Sequence, residues 1–253
     1  MMKKRNLRFK DNTISVKYLE KITSSNKTEI LDLIINSIDY IDNYGYLGFE
    51  KNEINELKLF LEDTIFTNYD ELNLQIDINF VLSTIKKTLK ELESNFTKQF
   101  SHIYILSSYD NFLIEMMQGT GGYATNQVIV LTINPKIKIL ESSIKHSIIH
   151  EFVNMRSLEV KEWCSILDQI VSDGIAEHFC EKRFNLKRKK WTEVLSKKDS
   201  VKLFLELKSD LLTYDENLSR DLFYGTGKFP LWAGYSIGYY LVEIFLLQNK
   251  QIK

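Results

Sequence analysis

The chain has little cysteine, no surplus of either charge and no apolar run long enough to cross a bilayer comfortably, and each shortage removes a class of function. Of 253 residues only two are cysteines, Cys164 and Cys180. Two cysteines cannot supply a disulfide framework, and a chain of this length does not need one. Both fall in apolar helical stretches and read as buried thiols. Lysine and arginine number 33 against 34 aspartates and glutamates, a net charge of -1. Nucleic acid is therefore not an expected partner, because neutralising phosphate takes a basic surplus. The basic run at 187–190 reads as a solvated loop. The longest apolar stretch, 231–247, carries Glu243 and three tyrosines and falls short of the ~20 residues that a helical span takes. It reads as a buried core helix, and no membrane span is expected. The opening MMKKRNLRFKDN is basic, but no apolar run follows it, so no signal peptide is expected and the location expected is cytoplasmic.

What is present is ordinary globular composition, 44% hydrophobic and 26% charged. Apolar residues recur at three-to-four spacing through 27–44, again at Ile54, Leu57, Leu59, Phe60 and Ile65, and again at Phe80, Val81, Ile85, Leu89 and Leu92, so the first hundred residues read as helices. The texture changes after Phe100. HIYILSS at 102–108 alternates like a half-buried strand, and QVIVLTIN at 127–134 is a β-branched run ended by Pro135. Between them lie Gly119, Gly121 and Gly122, where the backbone can turn or approach something closely. Helices are predicted at about 138–155, 161–184, 200–212 and 232–248. The fold class expected is α+β, mostly helical with a small β-sheet, divided into an N-terminal helical region at 1–100 and a second domain at 101–253.

The chemistry concentrates in one helix. His146-Ser-Ile-Ile-His150-Glu151-Phe-Val-Asn154 puts residues 146, 150 and 154 on one stripe, because positions four apart share a helix face. In the zinc-protease arrangement H-E-x-x-H, two histidines at i and i+4 grip the metal, and the glutamate takes a proton from the metal-bound water. Here the fifth position is Asn154. Downstream, VSDGIAEHF holds Asp173 and Glu177 one turn apart on a second helix. One carboxylate can face a metal while the other orients a ligand histidine.

These segments resemble the bacterial family of predicted zinc-dependent proteases, a gluzincin-like group of unknown substrate whose HExxH helix is followed by a helix reading roughly SEGLAE. This chain matches as HEFVN and SDGIAE. GGYATNQVIVLTINP resembles the family's glycine-led strand, and FPLWAGYSIGYYLV resembles its closing segment. The resemblance covers about 104–247. It implies a gluzincin-like metallopeptidase core with Zn2+ as cofactor, a peptide or protein as substrate, and an extended peptide lying along the strand that holds Gly121, Gly122 and Tyr123. It further implies that Glu151 is the general base, that His150, Asn154 and Asp173 stand at the metal-ligand positions, and that Tyr235 is a candidate for stabilising an oxyanion.

Two of those three ligand positions depart from the family. Asparagine replaces histidine at 154, and aspartate replaces glutamate at 173. An amide oxygen is a poor zinc ligand, and aspartate is one methylene shorter. Three readings follow. In the first the chain is a zinc-dependent peptidase with a divergent site, Glu177 lying behind the ligands. In the second it is an inactive pseudopeptidase that binds peptides. In the third it is a metal enzyme of other chemistry, with His146 and His150 joined by Asp173 or Glu177 around zinc or Fe2+.

Overall fold

The computed structural model describes residues 2–9, 12–19, 76–93, 102–108, 110–124, 128–160 and 165–249. The fold is α+β, mostly helical with one five-stranded mixed sheet. Contacts divide the chain into two compact units, Met1–Glu151 and Phe152–Lys253, and the division falls inside a single helix, α3 (Glu141–Val160).

The first unit is built on the sheet. β1 (Met2–Phe9) pairs antiparallel with β2 (Asn12–Leu19), which runs parallel to β3 (His102–Ser107). β3 runs parallel to β5 (Val128–Ile133), and β4 (Thr120–Ala124) closes that side antiparallel to β5. The order is β1-β2-β3-β5-β4, so among the described residues β4 is an edge strand. Register sets the core: Val16, Ile103 and Ile129 stand abreast, as do Tyr18, Ile105 and Leu131, all of them buried. α1 (Ile78–Leu92) starts where the Asp77 carboxylate accepts from the Phe80 amide, and buries Val81, Ile85, Leu89 and Leu92 at helical spacing. Two ion pairs tie it to the start of α3, Lys87 to Glu141 at 2.7 Å and Lys145 to Glu91 at 2.6 Å. The short α2 (Asn111–Glu115) precedes β4.

The second unit is helical. α4 (Ile166–Phe184) is capped at its start by Ser165 and ends on Asn185 in the left-handed region. A 3-10 turn (Lys190–Glu193), α5 (Lys197–Leu207), a second 3-10 turn (Asp210–Leu212), α6 (Glu216–Tyr224) and α7 (Ala233–Gln248) follow. α4 and α7 cross at a pair of glycines. A Cβ on Gly174 would lie 2.2 Å from the Gly238 carbonyl oxygen, and one on Gly238 would lie 2.2 Å from that of Ile170. Only glycine lets two helix backbones approach this closely. Beside the crossing, Ile166, Ile170, Leu211, Leu222, Phe223 and Ile237 form the buried apolar cluster.

Several expectations meet the coordinates differently. The helical reading of the first hundred residues missed β1 and β2. Lys3, Lys4, Arg5 and Arg8 are exposed along β1, a basic edge that resists further pairing and hides the apolar alternation. The expected helices at 27–44 and 54–65 lie outside the described residues, as does Cys164. α6 also escaped notice, since its nine residues bury only Ser219, Leu222 and Phe223. The basic run at 187–190 is not a wholly solvated loop: Lys189 is buried and Arg188 half-buried. Among the described residues no helix is long and apolar enough to cross a membrane.

Candidate metal centre

α3 lies along the edge strand β4, and small residues make that possible. Ser143 donates to the Gln118 side chain at 3.2 Å, Ser147 donates to the Thr120 hydroxyl at 3.2 Å, and Glu151 lies against Gly122, where a Cβ would meet its Cγ at 2.6 Å. The contacts advance four residues on the helix for every two on the strand. Four helical residues rise ~6 Å and two strand residues ~6.8 Å, so the periods match over this length. The result is a buried carboxylate laid flat on the backbone of an edge strand whose Gly122 and Tyr123 face solvent. Gly121 is buried, and a Cβ there would meet Thr132 Oγ1 at 2.8 Å and Leu113 Cδ2 at 3.1 Å.

About 100° round the same helix is the polar stripe. The rings of His146 and His150 stack with centroids 5.9 Å apart. His146 and His150 are buried on α3 in the first unit, and Glu177 is buried on α4 in the second. Two imidazoles and a carboxylate form a donor set that suits zinc or iron(II), so these residues fit a metal by their chemistry. Within the second unit the Trp191 indole N–H donates to Glu177 Oε1 at 2.9 Å. Lys189 is buried with its ammonium 5.6 Å from the centre of the Trp191 ring. Burial lowers the Lys189 pKa, while the nearby Glu177 and Cys180 act to raise it.

Asn154 and Asp173, the two positions that depart from the family pattern, are bonded to each other. The Asn154 amide nitrogen donates to Asp173 Oδ1 at 3.2 Å, and its oxygen accepts from the Ser172 hydroxyl at 2.9 Å. The donors and acceptors match in this orientation alone, since flipping the amide would set its oxygen against the carboxylate. All three side chains are buried. The pair is thus satisfied by side chains from α3 and α4.

Tyr235 stands edge-on to Phe223, centroids 5.0 Å apart, beside the apolar cluster. His178 points off the carboxylate stripe. Its ring stacks on Tyr239 at 4.2 Å and its Nε2 meets the Tyr239 carbonyl oxygen at 3.0 Å, which fixes the proton on Nε2. Nδ1 is buried with no hydrogen-bond partner. Burial lowers the His178 pKa, and the Tyr239 carbonyl and Glu181 only partly oppose it.

Nothing in the sequence signals the contact of Trp191 with Glu177. Fourteen residues and a chain reversal separate them, so neither helix nor strand periodicity relates the two. A family described as predicted Zn-dependent protease (DUF2268) matches residues 81–253, more than half of the chain. No curated protein and no solved structure matches significantly.

Proposed function

The chain belongs to the family of predicted Zn-dependent proteases, and from that membership we propose that it is a metal-dependent peptidase whose ion is held by His146, His150 and Glu177. The observation that carries this reading is the pair of buried imidazoles, His146 and His150, stacked one turn apart on α3. Bound zinc would supply a Lewis acid for the scissile carbonyl and lower the pKa of a water. The chain's own residues do the rest. Among the described residues β4 is at the sheet edge, where an extended peptide can add as a further strand. Gly122, without a side chain, lets that peptide pass close to Glu151, and the Glu151 carboxylate can accept and return a proton there. Asn154 and Asp173 take no ligand role in this reading; they lock α3 to α4 and hold the histidine stripe in place. The oxyanion role expected of Tyr235 draws no support from its place against Phe223.

The first experiment compares two alanine variants. His146→Ala should lose stoichiometric zinc and cleavage of a mixed peptide substrate, while Asn154→Ala should keep the zinc. The reverse pattern would return the ion to the position between His150, Asn154 and Asp173.

A second reading, an inactive peptide-binding module, is favoured by the Asn154–Asp173 bond, which satisfies both altered positions without an ion. Purified protein that binds extended peptides, holds no metal and gains none from added zinc would establish it.

A further inference from the structure

A carboxylate that serves a metal needs its second oxygen fixed, because a free carboxylate rotates and loses that freedom on binding. Glu177 has such a fixture. Trp191 is 8% exposed and Glu177 3% exposed, and the indole N–H reaches Oε1 at 2.9 Å. The segment that brings Trp191 there is anchored along its length. Arg188 donates to the Thr192 hydroxyl at 3.1 Å and to the Thr192 carbonyl at 3.0 Å, and its guanidinium lies 3.8 Å over the Tyr239 ring. Ser236, at the start of α7, accepts from the Val194 and Leu195 amides at 3.1 and 3.2 Å and donates to the Trp191 carbonyl at 3.2 Å. Trp232 meets the Trp191 ring edge-on at 5.9 Å.

An apolar core position would need none of this. Phenylalanine or leucine would fill it without an N–H to satisfy. A buried indole donating to a buried carboxylate, on a turn pinned at both ends, is instead the arrangement that orients a ligand from behind.

We propose that Trp191 is a positioning residue for metal binding, its indole N–H holding Oε1 of Glu177 so that the carboxylate meets the ion in one orientation. The proposal rests on the reading of His146, His150 and Glu177 as the ligands. Partners behind a ligand of this kind cost 10–100-fold in metal affinity when removed.

The test uses the full chain and zinc(II) alone, titrated in competition with a chelator. Trp191→Phe should weaken zinc binding by about 10–100-fold. Trp232→Phe, which disturbs the same aromatic pair but leaves the N–H, should change it less than about threefold. On a Glu177→Ala background Trp191→Phe should have no further effect, since the carboxylate it orients is gone. A Trp191→Phe protein that binds zinc as the wild type does would overturn the proposal. Should that variant not fold, the wild type decides: its indole N–H resonance must move in proportion to zinc up to one equivalent. An indole signal indifferent to zinc that the protein does bind overturns the positioning role while leaving the ligand set intact. Wild-type protein that binds no zinc overturns both, and the response of the indole signal to Glu177→Gln then shows whether the hydrogen bond itself stands.

Discussion

Substituting Gly174 tests whether the seam between α4 and α7 positions the site. A Cβ at 174 would lie 2.2 Å from the Gly238 carbonyl oxygen, 2.5 Å from its carbon and 2.9 Å from Val242 Cγ2. The first two are backbone atoms of another helix and cannot rotate away. The seam must open by about 1.2 Å, from 2.2 to the 3.4 Å at which ordinary contact begins. Overpacking of this kind costs ~1–3 kcal/mol, and backbone against backbone belongs at the upper end. For a chain of this size ~3 kcal/mol lowers the melting temperature by roughly 6–10 °C. The site should suffer as well. Glu177 is one turn beyond Gly174 on the same helix, and a ligand displaced by about 1 Å loses on the order of a hundredfold in function. Gly174→Ala should therefore both melt early and bind zinc weakly, read by circular dichroism and by chelator competition. Gly238→Ala meets the Ile170 carbonyl at the same 2.2 Å and should behave alike. The double variant should cost less than the two added, because the first alanine has already spread the helices. Ile175→Ala, at a residue 44% exposed, is the control and should shift melting by no more than about 2 °C. Gly174→Ala melting with the control would refute the close-approach argument.

Gly122→Ala should push the Glu151 side chain off β4, because the new Cβ would meet Glu151 Cγ at 2.6 Å and Oε1 at 2.8 Å. The glutamate can swing aside for ~1 kcal/mol, so zinc content and melting should hold while peptide cleavage falls about a hundredfold. Glu151→Gln should lower cleavage by roughly 10²–10⁴ with zinc content kept, and an unchanged rate in either variant removes Glu151 from the reaction. The His178 pKa lies below its ordinary 6.5 because burial disfavours the charged ring. Its contribution to stability is therefore complete above pH 6.5 and is lost as pH falls from there through the depressed folded value. His178→Phe should remove that part of the pH dependence, so the gap in melting temperature between wild type and variant should narrow from pH 7 to pH 5. A constant gap would show that the ring does not stay neutral in the fold.

The legible parts of this protein were those that chain periodicity encodes. β3 and β5 were visible as alternating or β-branched runs, α3, α4 and α7 as apolar repeats, and the stripe at 146, 150 and 154 as a consequence of helix geometry alone. β1 was not legible, because a basic edge strand carries its apolar residues on one side only and too few of them. Trp191 was not legible either, because a tryptophan in a core and a tryptophan behind a ligand look alike in sequence. Its hydrogen bond depends on Ser236 and Arg188 folding a turn back onto α4.

By itself the sequence determined which residues share a helix face, since a 3.6-residue period leaves no choice, and so it determined that His146, His150 and Asn154 line up and that Asp173 and Glu177 line up. It could not determine how the two stripes meet. That depends on where one helix crosses another, and the glycines at 174 and 238, sixty-four residues apart in the chain, set only the crossing of α4 with α7. Only the tertiary structure decided that Asp173 pairs with Asn154 and that Trp191 meets Glu177, because a side chain's partner is set by packing at a distance, not by its neighbours in sequence.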